Sequence, residues 1–165
     1  MSEAPDGGHD SRPGDDQRAG SGSPAPDGDA YSWYRRGLDL LGRGSPAAAE
    51  QLLQRAAEAE PGSRSVLEAL GRAQFDAGRY TAAAESFRQI VEASPSDDYA
   101  HFGLGLALAR DGNPAAAAEH LALAAAMRPE LPHYTAALRS VRATLRARAG
   151  SDSPPPPPAA GEAPR

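Results

Sequence analysis

An all-α chain is the fold class that these 165 residues predict, and three observations carry the prediction. Pro61, Pro95 and Pro129 recur at a constant step, and the sets Gly44/Gly78/Gly112, Gly37/Gly71/Gly105 and Ala49/Ala83/Ala117 keep the same step in one register. Between these markers the apolar residues fall at i, i+3 and i+4, the period of a helix with one buried stripe. Glycine and proline punctuate the stretch at regular places and otherwise gather at the two ends of the chain. A period of this length signals stacked supersecondary units, none of which can bury its apolar face alone.

Taken in order, residues 1–29 hold seven acidic residues against two arginines, a net charge of −5 with scarcely an apolar side chain. So little apolar surface cannot offset the entropy of ordering, and a disordered acidic leader is expected. The domain then spans 30–149, as repeats 30–63, 64–97 and 98–131 followed by a capping helix at 132–148. Helices are expected at 30–43, 46–59, 64–77, 80–94, 98–111 and 114–127. Gly44, Gly78 and Gly112 end each first helix, where a left-handed residue is needed. Ser45-Pro46 and Asn113-Pro114 read as an N-cap followed by proline at the first helical position. Pro61, Pro95 and Pro129 end each second helix, because proline cannot continue it. In the seventh helix Leu138, Val141 and Leu145 cover the last repeat, while Arg139, Arg142, Arg146 and Arg148 keep its outer side wet. The tail 150–165 is expected to be disordered and proline-rich. Its run 154–158 favours polyproline II, read first as a stiff spacer and second as a ligand for an aromatic-lined groove.

The spacing of Leu67, Leu70, Gly71, Ala83, Phe87, Ile90 and Pro95 resembles the tetratricopeptide repeat family, whose unit follows W-x2-L-G-x2-Y…A-x3-F…P. The first copy matches through Trp33, Gly37, Leu40, Ala49, Leu53, Ala56 and Pro61. The third matches through His101, Leu104, Gly105, Leu108, Ala117, Leu121, Ala124 and Pro129. Two positions depart: Arg36 stands where Leu70 and Leu104 stand, and Gln74 where the family prefers Tyr. The resemblance implies a right-handed α-solenoid that presents its first helices along a concave groove and binds a protein partner. Carried over position by position, it points Tyr31, Tyr34, Leu38 and Leu41 into the groove. From copy two it points Ser65, Glu68, Arg72 and Phe75, and from copy three Tyr99, Phe102, Leu106 and Ala109. Arg35, Arg72 and Arg110 would favour acidic flanks on the bound segment. The candidate groove set is Tyr31, Tyr34, Arg35, Leu38, Glu68, Arg72, Phe75, Tyr99, Phe102 and Leu106. The subclass that clamps carboxylates with Lys and Asn is not expected, since Lys is absent and Asn113 is a helix cap.

Chemistry finds little purchase. With no cysteine there is no thiolate nucleophile, thiolate metal site or disulfide framework, which fits a reducing compartment. His9, His101, His120 and His133 form no metal-ligand spacing, and His101 takes a core position. The G-x-G at Gly103-Leu104-Gly105 follows no strand, so it is not a dinucleotide fingerprint. No catalytic residue, cofactor or metal is expected. The array is nearly neutral, which argues against nucleic acid. The longest apolar run, 121–127, is far short of the roughly 20 residues of a membrane span. The start of the chain has neither the basic nor the apolar region of a signal peptide, so a cytoplasmic location is expected. The expectation is a non-catalytic interaction module, a monomer in preference to a homodimer built on an aromatic patch, with an enzyme as a remote third reading. All 17 basic residues are arginine, a bias that fits the GC-rich genome of a bacterium.

Overall fold

The computed structural model describes residues 29–151. The expected acidic leader and the proline run lie outside the described residues. Seven helices follow one another: α1 (Ala30–Gly42), α2 (Pro46–Ala59), α3 (Arg64–Asp76), α4 (Tyr80–Ala93), α5 (Asp98–Arg110), α6 (Pro114–Met127) and α7 (Pro132–Ser151). All seven start where the sequence predicts, and the first six end within a residue of expectation. Helix α7 runs on past the expected end at residue 148. Gly150 disfavours a helix by only about 1 kcal/mol, and the Ser151 hydroxyl donates to the Ala147 carbonyl at 3.0 Å, closing the extra turn.

The punctuation works as the residue types demand. Gly44, Gly78 and Gly112 adopt φ of 71°, 77° and 89°. At the first, the Ser45 amide donates to Leu40 O at 2.9 Å and the Gly44 amide to Leu41 O at 3.0 Å, a Schellman end. Asn113 caps α6 by accepting from the Ala116 amide at 3.3 Å. Ser45 departs from expectation: it holds the N-cap position of α2 but makes no side-chain cap bond. Asp29 and Asp97 supply caps that the sequence reading did not name, accepting from Ser32 N at 2.8 Å and from Ala100 N at 2.9 Å.

Each helix packs on the next, and α1 also packs on α3, α3 on α5, and α5 on α7. The odd-numbered helices thus form one wall and α2, α4 and α6 the other, with α7 taking the place of a fourth first helix. The walls approach closely because small residues face large ones. A Cβ at Gly37 would lie 2.6 Å from Leu53 Cγ, and one at Gly105 the same distance from Leu121 Cγ. Phe87 is the larger residue of this set, and its ring reaches two bare backbones. Cβ atoms at Gly71 and Gly103 would come within 2.9 and 2.6 Å of it. Gly103 is therefore the space that Phe87 requires.

The buried core divides unequally. A small cluster joins Ala49, Leu53, Ala69, Leu70 and Ala73, while a larger one runs from Leu67 through Phe87 and Leu121 to Leu138 and Val141. Trp33, expected in the core, is only half-buried, because the outermost repeat has no neighbour on that side. Gln74 is buried with a partner: the Ser86 hydroxyl donates to its Oε1 at 2.7 Å. Glu50 is buried with Arg79 Nε 3.1 Å from its Oε2. That contact lies off the angle of a hydrogen bond, so the carboxylate has an ion partner but this oxygen accepts no bond.

Candidate functional site

The odd-numbered wall carries two adjoining hollows. One lies between α1 and α3 and is lined by Tyr34, Leu38, Ser65, Glu68, Ala69 and Arg72. The other, of about 220 Å³, lies between α3 and α5 and is lined by Arg72, Phe75, Asp76, Phe87, Tyr99, Phe102, Gly103 and Leu106. Arg72 belongs to both. Of the ten residues in the candidate set, Tyr34, Leu38, Glu68, Arg72, Phe75, Tyr99, Phe102 and Leu106 thus come together along one surface. Tyr31 and Arg35 line neither hollow and stand exposed, Tyr31 at 64%. They sit on the first turns of α1, where no earlier repeat walls them in.

The rings of the second hollow form a connected run. Tyr99 lies 6.4 Å from Phe102 between centroids, and Phe102 stacks on Tyr134 at 4.5 Å and 23°. His133 meets Phe102 edge-on at 5.3 Å. Sequence reasoning missed Tyr134 and His133, although the register held the signal. One further repeat step from Asp98 is Pro132, which makes Tyr134 the third residue of a fourth copy, matching buried Val66 and Ala100. Tyr134 is 2% exposed and its hydroxyl donates to Asp98 Oδ2 at 2.8 Å, which ties the start of α7 to the start of α5.

Electrostatics follow from these contacts. Burial raises the Tyr99 hydroxyl above the usual phenol range; Arg72 opposes the shift, and Glu68 and Asp76 reinforce it. Burial, then the bond to Asp98, holds Tyr134 well above that range. Asp97 is partly buried, which would raise its pKa, but the Arg64 guanidinium and the Ala100 amide outweigh this and hold it low. All three phenol and carboxyl groups therefore keep their neutral-pH charge states, leaving Arg72 as the cation shared by both hollows.

Behind the groove, His101 and His120 meet with Nδ1 atoms 3.0 Å apart, and His101 Nε2 lies 3.0 Å from the Pro95 carbonyl. Since that carbonyl can only accept, His101 carries its proton on Nε2 and accepts at Nδ1 from His120. Burial, then His101, lowers the pKa of His120; Arg88 adds to this and Glu119 opposes it. No group of three metal-ligating side chains occurs among the described residues. A larger hollow of about 330 Å³ opens on the opposite wall, edged by Gln54, Glu58, Glu85 and Gln89 over Leu67 and Leu70. No aromatic ring enters it. Among the described residues no helix is long and apolar enough to cross a membrane.

The sequence profile of the tetratricopeptide repeat family matches residues 34–98 and 69–132. The chain belongs to the tetratricopeptide repeat family. No curated protein matches it. Among solved structures, the TPR domain of Sgt2 from Aspergillus fumigatus superposes with a TM-score of 0.70 at 18% identity, over 84% of this chain and 93% of that one. The first TPR of Spaghetti (RPAP3), bound to the HSP90 peptide SRMEEVD, gives 0.67 at 17%, over 72% and 94%. The Yersinia enterocolitica type III secretion chaperone SycD, in complex with a peptide of the translocator YopD, gives 0.62 at 17%, over 69% and 92%. At such identities the likeness is one of fold: a stack of tetratricopeptide hairpins.

Proposed function

We propose that this chain is a non-catalytic scaffold that holds a peptide or helical segment of a partner protein along the wall formed by α1, α3 and α5. The observation that carries this reading is the hollow between α3 and α5, where Phe75, Tyr99 and Phe102 surround a floor opened by Gly103. Binding sites are apolar and aromatic concavities with a few placed polar groups, and tyrosine and arginine recur as anchors. Arg72, shared by both hollows, supplies the polar group; an acidic residue beside an apolar anchor is the segment that fits. Two neighbours of the same fold bind peptides, the HSP90 peptide and the YopD peptide, which supports a peptide ligand here. The protein works as a monomer in the cytoplasm, and its arginine-only basic complement supports a bacterial source with a GC-rich genome.

The test is titration of the full chain against a peptide array, with Tyr34→Ala and Phe102→Ala combined. The pair weakens capture by about tenfold or more, the size expected when hot-spot rings are lost, while the thermal melt keeps its cooperative shape. Undiminished capture by a folded double variant would move the binding surface elsewhere.

A further inference from the structure

We propose that the proline run 154–158 of this same chain docks in the hollow between α3 and α5, so that an incoming ligand must displace it. The inference rests on the groove reading above and names a competitor built into the chain. Three observations lead to it. Helix α7 lies alongside α5 in the same direction: Tyr134 bonds Asp98 at the start of both helices, and Arg148 Nη1 reaches Gly112 O at 3.5 Å at their ends. The tail therefore leaves α7 beside the end of α5 that leads down to Leu106, Gly103 and Phe102.

Length fits the span. Leu106 lies six residues before Gly112, and Ser151 three residues after Arg148. At about 1.5 Å per helical residue and about 10 Å per step between helices, the gap from Ser151 to Leu106 is about 17 Å. Residues 152–158, extended as polyproline II at about 3.1 Å each, cover about 22 Å.

Chemistry fits as well. A proline run is preordered and apolar, and it offers carbonyl acceptors with no N–H donors. Aromatic-lined grooves recognise such segments through the rings, with donors for the carbonyls. The hollow offers Phe75, Tyr99 and Phe102 for the first and the exposed Arg72 guanidinium for the second. Arg72 makes no salt bridge among the described residues, so its donors are free for the carbonyls. The acidic leader is the poorer occupant, since Arg72 and Asp76 together give the hollow no net charge to attract it.

The chain has no cysteine, so Ala160→Cys accepts a single nitroxide label. In the isotope-enriched full chain the amide signals of Phe75, Phe102, Gly103 and Leu106 lose intensity, and they recover when all five prolines of 154–158 are replaced by serine. Signal loss confined to the last turn of α7, or equal loss with the serine tail, overturns the proposal. So does loss seen only when labelled, unenriched chains are mixed with enriched, unlabelled ones, which would seat the tail of a second copy. A label at Ser2→Cys that quenches the same four amides would give the hollow to the leader and likewise overturn it. None of these readouts uses an outside ligand. A tail that stays out therefore leaves the groove reading to peptide capture alone, and failed capture leaves the tail result standing.

Discussion

The first and third copies follow one pattern but hold on to their surroundings very differently. Copy one rests on the small cluster around Leu53, Leu70 and Ala73, with Trp33 half-buried at an open end. Copy three sits inside the larger cluster, with Phe87 behind it and Leu138, Val141 and Tyr134 of α7 in front. In a quasi-one-dimensional stack each unit is as secure as its interfaces, so the difference predicts graded opening from the α1 end.

The largest blow to that comparison is Phe87→Ala. Truncating a buried ring costs about 3–5 kcal/mol, and here it empties contacts to both Gly71 and Gly103. Denaturant melts are expected to lose that much, with hydrogen-exchange protection falling in α3, α4 and α5 together. Leu53→Ala, at about 2–5 kcal/mol, sharpens the contrast: exchange should accelerate in α1 and α2 while α5 to α7 keep their protection. Uniform acceleration would end the graded picture. Gly103→Ala tests the tight joint from the other side, since its methyl would sit 2.6 Å from the Phe87 ring. Overpacking of this kind costs about 1–3 kcal/mol, and the midpoint of urea unfolding reads it. Tyr134→Phe removes the hydroxyl bond to Asp98 and leaves the ring stacked on Phe102. A loss of about 1 kcal/mol is expected, confined to α7.

The smallest effect is one of pH. The folded pKa of His120 lies below its ordinary 6.5. As pH falls past that value the unfolded chain takes up the proton first, so stability declines until the folded pKa is passed. His120→Gln keeps a donor for His101 and should flatten this decline in melts taken at successive pH values. An unchanged slope would assign the acid sensitivity to another group.

Much of this was legible in the residues. Every helix start follows from a cap, a proline or a glycine, and eight of the ten candidate groove positions do line the two hollows, because a helix period fixes direction as well as place. What escaped was long-range. That His101 would meet His120 depends on two helices pairing at one height, and neither residue signals it alone. Gly103 had no explanation until Phe87 was seen against it. Tyr134 was overlooked because proline and arginine make α7 read as a bare lid, although the repeat register continues into it. Ser45 carries the right residue type for a cap, yet its side chain makes no such bond.

The ring of Phe87, held between two glycines of successive copies, also limits how this array could be edited. Leu53 faces Ala69 in the register where Phe87 faces Gly103, so each joint matches one size of knob to one depth of socket. Excising residues 64–97 would bring Leu53 against Gly103 and leave a void; duplicating copy two would force a Phe ring onto Ala69. The three units share a blueprint, but their order is not interchangeable.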